Sequence, residues 1–177
     1  WAGQWRRRAV AATVLDFGLR QTAAITATAI QSRGVAGVSF IASTPAGDMP
    51  LRLSLPGVHN VANALAAIAV GLACQLPLAQ ICKALETVQA VPGRLVSAQA
   101  DTGATIIDDC YNANPGSVQA AIDILAACDG RRTLILGAMK ELGSESAALH
   151  ARVGEYARAA GIDQLWGVGQ ELRETVA

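Results

Sequence analysis

The first half of the chain begins with short apolar or alternating runs that glycines and prolines separate. Such runs predict β-strands joined by turns, and they occupy residues 7–17, 35–42 and 50–55. The sequence Pro-Ala-Gly-Asp-Met at 45–49 supplies turn residues between two of them. Residues 35–55 are therefore expected to form a β-hairpin.

From Val58 the spacing of the apolar residues changes to that of an α-helix. They recur at 61, 65, 68 and 72 and are flanked by alanines, which predicts a helix packed closely through small side chains. A second helix is expected from Pro77 to about Val88. The Ala-Val-Pro-Gly stretch at 90–93 ends it and is typical of a linker.

After Pro92 the patterns of strand and helix alternate. Strands are predicted at 94–100, 104–109, 133–137 and 164–168, and helices at 115–128, 144–161 and from 170 onward. Alternation of this kind favours an α/β fold in which helices cover a parallel sheet. Ligands of such folds gather at the carboxyl ends of the strands.

Composition narrows the class of protein further. The 177 residues are 52% hydrophobic and 16% charged, enough apolar material for a real core. Fourteen basic and fourteen acidic residues give no net charge, so nothing indicates a nucleic acid or an anionic membrane as partner. The longest apolar run has 11 residues, Ala64 to Cys74, whereas a membrane-spanning helix needs about 20. Four cysteines without a CxxC motif indicate reduced thiols of a cytoplasmic protein.

Two clusters of polar residues are candidates for a site. His59, Asn60 and Asn63 lie at the start of the first predicted helix, at spacings that place them on one face. Free backbone N–H groups at a helix start favour an anion or polar ligand. The structural alternative is that Asn60 only caps the helix.

The second cluster follows the predicted strand 104–109. Its sequence, Asp-Asp-Cys-Tyr-Asn-Ala-Asn-Pro, runs from Asp108 to Pro115. The two acids should point to opposite faces of the strand, so that one can face a ligand. Asn114 before Pro115 is also a good helix cap, which is its structural alternative.

Further motifs are less specific. Arg94 is either a phosphate contact or an exposed charge at a strand start. Gly167-Val168-Gly169 lacks the last position of a dinucleotide fingerprint, and no GxxxxGK[ST] phosphate loop occurs in the sequence. His150, inside a predicted helix, is interpreted as a packing residue.

Four segments taken together resemble the Mur ligases. They are GVHNVANALAA at 57–67, VPGR at 91–94, IDDCYNANPGS at 107–117 and LGAMKELGSES followed by LH at 136–150. The DD-x-YNANP segment favours the members that add D-alanyl-D-alanine. One departure is Ala138, where the family usually has Asp. The resemblance implies that residues 1–90 are the end of the central ATPase domain and 91–177 a truncated, Rossmann-like C-terminal domain.

The resemblance also implies a reaction and its site residues. ATP would phosphorylate the carboxylate of UDP-MurNAc-tripeptide, and the amine of D-Ala-D-Ala would attack the acyl phosphate, in peptidoglycan precursor synthesis. Asn63, Arg94 and Asp109 match positions that hold ATP across the domain junction, and His59 and Asn60 match a supporting motif. Tyr111, Asn112 and Asn114 match a loop near the dipeptide site. The family's phosphate loop and Mg²⁺ ligands would lie upstream of Trp1, so the chain is expected to be an inactive, monomeric fragment of a cytoplasmic enzyme.

Three alternatives stay open at this point. The chain could be a nucleotide-binding module without chemistry, since it has no phosphate loop. It could belong to another amide ligase of the Mur and folylpolyglutamate synthase superfamily. An NAD-dependent oxidoreductase ranks last, because its glycine fingerprint is incomplete.

Overall fold

The computed structural model describes residues 2–9 and 14–176, and it divides the chain into two compact units. The first unit comprises residues 1–32, 37–54 and 58–88, and the second comprises 33–36, 55–57 and 89–177. Among the described residues, no helix has the length and apolar character needed to cross a membrane.

The first unit is a three-stranded antiparallel sheet with helices packed on it. Its elements in chain order are α1 (Ala2–Arg8), β1 (Thr26–Ser32), β2 (Val38–Thr44), β3 (Gly47–Leu53), α2 (Val58–Ala73) and α3 (Leu78–Glu86), with strand order β1-β2-β3. Its core joins alternate residues of β2 and β3 to the apolar stripe of α2, including Phe40, Leu51, Leu65 and Ile68. The buried residues that alternate along the strands and those that recur every 3.6 residues along the helix therefore pack in one core.

The predicted hairpin and both predicted helices of this unit are confirmed. Thr44 pairs with Gly47 across a two-residue turn, in which the Thr44 hydroxyl accepts from the Ala46 amide at 3.0 Å. Gly71 is part of the close packing between the helices, because a Cβ there would lie 2.6 Å from Ile81.

The strand predicted at residues 7–17 is wrong where the structure describes it. Arg7 and Arg8 end α1, residues 14–16 are not in a strand, and residues 10–13 lie outside the described residues. The apolar pattern also missed β1, whose sequence Thr-Ala-Thr-Ala-Ile-Gln-Ser has mostly small and polar side chains at partly buried or exposed positions. This strand pairs on one side only, so tertiary contacts rather than hydrophobicity define it.

The second unit alternates strands and helices, as predicted. Its elements are β4 (Val96–Gln99), β5 (Thr105–Asp108), α4 (Pro115–Ala126), β6 (Thr133–Gly137), α5 (Ser146–Ala159), β7 (Gln164–Val168) and α6 (Arg173–Val176). The core lies among α4, β6 and α5, with Ile122, Leu136 and Val153 buried. The α/β fold class is thereby confirmed.

The parallel sheet is confirmed only in part, because the strands form two separate pairs. β6 and β7 pair in parallel across α5, whereas β4 and β5 pair antiparallel. Residues 100–104 join β4 to β5, and a connection this short forms a hairpin rather than a parallel crossover.

Candidate functional site

In the first unit, the polar cluster at the start of α2 forms a chain of hydrogen bonds. The Asn60 amide nitrogen lies 3.1 Å from His59 Nε2, and Asn63 donates to Asn60 Oδ1 at 3.2 Å. Asn60 is the third residue of α2, so it does not occupy the capping position that the structural alternative required. The three side chains predicted to share a helix face do so.

In the second unit, Arg94 and Tyr111 stack on each other. The guanidinium carbon of Arg94 lies 4.2 Å from the centroid of the Tyr111 ring, a cation–π contact. Gly93 makes the approach possible, because its carbonyl accepts from the Tyr111 amide at 3.0 Å and a Cβ there would lie 3.3 Å from the Tyr111 Cβ. Its φ of 75° also favours glycine.

Asp109 holds the backbone next to that stack. Its Oδ1 accepts from the Leu95 amide at 3.2 Å. Leu95 has a φ of 53°, a left-handed conformation that is uncommon for a bulky residue. Strained backbone of this kind persists where surrounding contacts over-determine it. Arg94, Asp109 and Tyr111 are therefore brought together within one unit by two hydrogen bonds of backbone amides and by the Arg94–Tyr111 stack.

Asp108 and Asp109 have different environments, as the strand periodicity predicted. Asp108 is exposed and its Oδ1 accepts from the Cys110 amide at 3.1 Å. Its hydrogen bond with the Cys110 side chain raises the pKa of that thiol. Asp109 is half-buried. Both acids nevertheless border the same cavity.

Asn114 caps the start of α4, which is the structural alternative that its sequence position predicted. Its side chain accepts from the Ser117 amide and the Ser117 hydroxyl accepts from the Asn114 amide, both at 3.0 Å, which is a capping box. Pro115 follows at the first helical position. Asn112 lies closer to the cavity, and its Oδ1 accepts from the Ala113 amide at 2.9 Å.

A cavity of about 730 Å³ lies between β5 and β6, over α4. Its apolar part is formed by strand residues and by Val118, Ala121 and Leu125 of the helix. Its polar part lies at the carboxyl ends of both strands, where Asp108, Asp109, Asn112 and Lys140 meet. This is the end of an α/β sheet at which ligands bind.

The loop after β6 contains residues that sequence reasoning undervalued. Lys140 lines the cavity and lies 3.7 Å from Glu171, whose pKa is lowered by a backbone hydrogen bond and by the Lys140 charge. His150 is fully buried, as a packing residue should be, but it also hydrogen-bonds through both ring nitrogens. The available sequence signal for this second role was the spacing of Ser146 and His150. They lie four residues apart in a helix that follows a strand and a loop.

Among the described residues, no three or more His, Cys, Asp or Glu side chains are grouped in a way that could hold a metal ion. The chemistry of the cavity mouth is instead that of carboxylates, amides, one ammonium and a nearby guanidinium, which suits a polar organic ligand with hydroxyl, carboxylate or phosphate groups.

Two family models match the chain in sequence. The Mur ligase middle domain matches residues 1–71, and the Mur ligase glutamate ligase domain matches residues 93–177. The UDP-N-acetylmuramoyl-tripeptide–D-alanyl-D-alanine ligase of Escherichia coli K12 is 47% identical over 135 residues, which are 76% of this chain and 30% of that protein. The corresponding ligase of Haemophilus influenzae is 39% identical over the same shares of both chains. The chain thus spans about a third of the length of these relatives.

Solved structures give the same result for the fold. A crystal structure of MurF from Acinetobacter baumannii matches with a TM-score of 0.90 and 34% identity, over 98% of this chain and 37% of that one. MurF from Thermotoga maritima, solved in complex with ADP, matches with a TM-score of 0.77 over 91% of this chain and 37% of that one, and at 23% identity it shows a shared fold. With both halves matched in order by domains of one family, the chain belongs to the Mur ligases.

Proposed function

We propose that this chain is part of an ATP-dependent ligase that joins D-alanyl-D-alanine to UDP-N-acetylmuramoyl-tripeptide in peptidoglycan precursor synthesis. The observation that carries the proposal is the grouping of Arg94, Tyr111 and Asp109 beside the polar mouth of the cavity. Relatives named for this activity, at up to 47% identity, support the choice of substrates.

The nucleotide is assigned to Arg94 and Asp109. A guanidinium held over a ring can contact phosphate or stack on a base, and a carboxylate can accept hydrogen bonds from ribose hydroxyls. Because Asp109 also fixes the Leu95 backbone, the acid and the neighbouring Arg94 are set in one local geometry. Asn63 of the first unit is assigned to the nucleotide by the family resemblance, with His59 and Asn60 in support.

The acceptor dipeptide is assigned to the cavity mouth. D-Ala-D-Ala carries a carboxylate and an amine, and the mouth has the Lys140 ammonium together with the acids and the Asn112 amide. Tyr111 and Asn114 lie with Asn112 in the loop between β5 and α4, and the Asn114 cap fixes where α4 begins. Lys140 is therefore added to the acceptor contacts that the sequence predicted.

The proposed reaction has two steps with balanced atoms. A carboxylate oxygen of the tripeptide attacks the γ-phosphorus of ATP, and ADP leaves. The amine of D-Ala-D-Ala then attacks the acyl carbon, phosphate leaves, and the nitrogen loses a proton. Phosphoryl transfer depends on positioning and on charge stabilisation. No group of three or more His, Cys, Asp or Glu side chains that could hold Mg²⁺ lies among the described residues.

The domain assignment and the setting of the enzyme belong to the same proposal. Residues 1–90 are assigned to the central ATPase domain and 91–177 to the C-terminal domain. UDP-MurNAc-tripeptide and D-Ala-D-Ala are the partners, in a monomeric cytoplasmic enzyme.

An assay of the complete polypeptide that carries this chain tests the activity. ADP-coupled phosphate release is measured with the tripeptide precursor and with D-Ala-D-Ala, free D-Glu or a diamino acid as competing acceptors. Preference for D-Ala-D-Ala is expected, and equal turnover of a single amino acid would contradict the proposal. Release of phosphate with no amide product would favour a different reaction.

The nucleotide assignment is tested with Asp109→Ala, which should weaken ATP use by about 1.5 to 3 kcal/mol through loss of a charged hydrogen bond. Asp101→Asn, at an exposed turn, is the control. An unchanged ATP KM in the Asp109 variant would remove that residue from the site. The 177-residue chain alone is expected to be inactive, and turnover by it in the same assay would contradict that.

A further inference from the structure

His150 is a fully buried histidine that the proposed reaction does not use. It lies in the first half of α5, with no exposed surface, in a core that includes Met139 and Val153. A buried histidine either fills space or fixes other groups through its ring nitrogens. The two ring nitrogens show which of these applies.

Both ring nitrogens form hydrogen bonds, and their partners define the tautomer. Nε2 lies 3.1 Å from the backbone nitrogen of Met139, whose N–H can only donate, so Nε2 is the acceptor. Nδ1 lies 2.8 Å from the carbonyl oxygen of Ser146, which can only accept, so Nδ1 carries the proton. The neutral imidazole thus links the first turn of α5 to the loop after β6.

The residue held by His150 has a particular position in that loop. The Met139 side chain is 3% exposed and belongs to the core, whereas its neighbours Ala138 and Lys140 both line the cavity. The next residue, Glu141, has a φ of 61°, in the left-handed region, where the chain bends. Fixing the Met139 amide therefore fixes where Lys140 leaves the loop.

We propose that His150 is a positioning residue: its Nε2 holds the Met139 amide so that Lys140 is presented at the cavity mouth to the carboxylate of the acceptor dipeptide. The assignment of that acceptor rests on the proposed function above. A leucine could fill the same volume, but it would leave a buried backbone N–H without an acceptor, which is costly. The hydrogen bond, rather than the volume, is the property that the site needs.

Lys140 has a charged neighbour beside this loop. Glu171, on the turn Gln170–Leu172, lies 3.7 Å from it, and the pKa of Glu171 is lowered by a backbone hydrogen bond and by the Lys140 charge. A proton on Nε2 would face the Met139 N–H, donor against donor. The arrangement therefore works with the neutral ring.

The first test uses the 177-residue chain and does not depend on activity. Long-range proton–nitrogen NMR of the imidazoles distinguishes a protonated Nδ1 from a protonated Nε2, and the half-buried His59 is the other histidine in the sequence and an internal reference. The expected result is a protonated Nδ1, an acceptor Nε2, and a Met139 amide protected from hydrogen exchange. A protonated Nε2, or a fast-exchanging Met139 amide, would overturn the proposal.

The second test uses a pair of variants in the complete polypeptide. His150→Gln can keep an acceptor near the position of Nε2, whereas His150→Asn keeps only a donor near Nδ1. The Asn variant should raise the KM for D-Ala-D-Ala about tenfold or more, and the Gln variant by less than about threefold. The KM values for ATP and for the tripeptide should change little in both. Glu155→Gln, exposed on the same helix, is the control.

The outcomes separate this inference from the proposed function. If the unmodified polypeptide does not use D-Ala-D-Ala, the proposed function fails, and the NMR result still decides whether His150 holds the loop. If the acceptor is used but both variants change all three KM values equally, His150 has only a structural role and the inference is wrong. If neither variant folds, the tautomer of His150 and the protection of the Met139 amide in the unmodified chain decide whether His150 holds this loop.

Discussion

The two units have similar numbers of strands but are stabilised in different ways. In the first, three strands form one sheet, and the core among the described residues has fourteen buried side chains. In the second, four strands form two separate pairs, the corresponding core has seven, and apolar strand residues such as Ile135 and Trp166 are 71% and 61% exposed. The first unit thus depends mainly on apolar burial.

The second unit adds specific polar contacts to its smaller core. They are the capping box at Asn114, the His150 bridge, and the contacts of Arg132 with Asp163 and of Tyr156 with Asp123. Most of the candidate site lies in this unit. A fold held by specific hydrogen bonds places side chains accurately but loses stability when one bond is removed.

The largest effect should come from the apolar core of the first unit. Leu65→Ala removes a side chain with no exposed surface and should lower the free energy of unfolding by about 2 to 5 kcal/mol, through lost transfer energy and a cavity. The change is measured by urea unfolding, followed by the hydrogen exchange of amides in the first unit. Leu76→Ala, at a 45% exposed position, is the control and should cost far less. Equal losses would contradict the contrast between core and surface.

A smaller effect is expected from loss of a polar contact in the second unit. Asn114→Ala removes the cap of α4 and should cost about 1 kcal/mol, since one helix N–H loses its acceptor. Ser117→Ala removes the other half of the capping box and should cost less. Amide exchange along α4 measures both. If exchange in the first turn of α4 were unchanged in both variants, polar links would not stabilise this unit.

The pH dependence of the second unit should be altered by Asp163→Asn. Hydrogen bonds from the Arg132 backbone, at 2.7 Å, and then from its side chain lower the pKa of Asp163. A lowered folded-state pKa gives stability that is present above the unfolded value of about 4 and is lost as the pH falls through the folded value. The Asn variant should therefore show a shallower loss of stability below about pH 4 in acid unfolding. An identical acid transition in both proteins would show that this pair does not contribute to stability.

Sequence patterns predicted the fold where side chains were strongly apolar. The hairpin at 35–55, the stripe of α2 and the alternation after Pro92 were all readable, because burial imposes a period. β1 was not, since Thr and Ala carry little periodic signal. The antiparallel pairing of β4 with β5 follows from the short connection at 100–104, which the prediction of a parallel sheet did not weigh.

The candidate site was predictable to the extent that its motifs are local. Asp109, Arg94 and Tyr111 were named from sequence, but their mutual contact depends on the conformations of Gly93 and Leu95, which no pattern specifies. The loop at 137–143 was recognised from sequence, but Lys140 itself was not among the predicted site residues. His150 was identified as a packing residue because the Met139 amide that it holds is distant in sequence, and only the folded loop brings the two together.

The smallest effect should come from an apolar residue on the open edge of β6, and it tests the contrast most directly. Ile135→Thr keeps the β-branched shape, and at a 71% exposed position it should change the free energy of unfolding by less than about 0.5 kcal/mol. The same substitution at Ile25, which has no exposed surface, should cost several times more, because a hydroxyl is buried and a methyl contact is lost. Urea unfolding of the two variants at several protein concentrations gives the comparison. A loss above about 1 kcal/mol at Ile135 that grows with concentration would mean that copies of the chain cover this edge, as exposed strand edges permit. The second unit would then bury more apolar surface in solution than its own seven core residues provide.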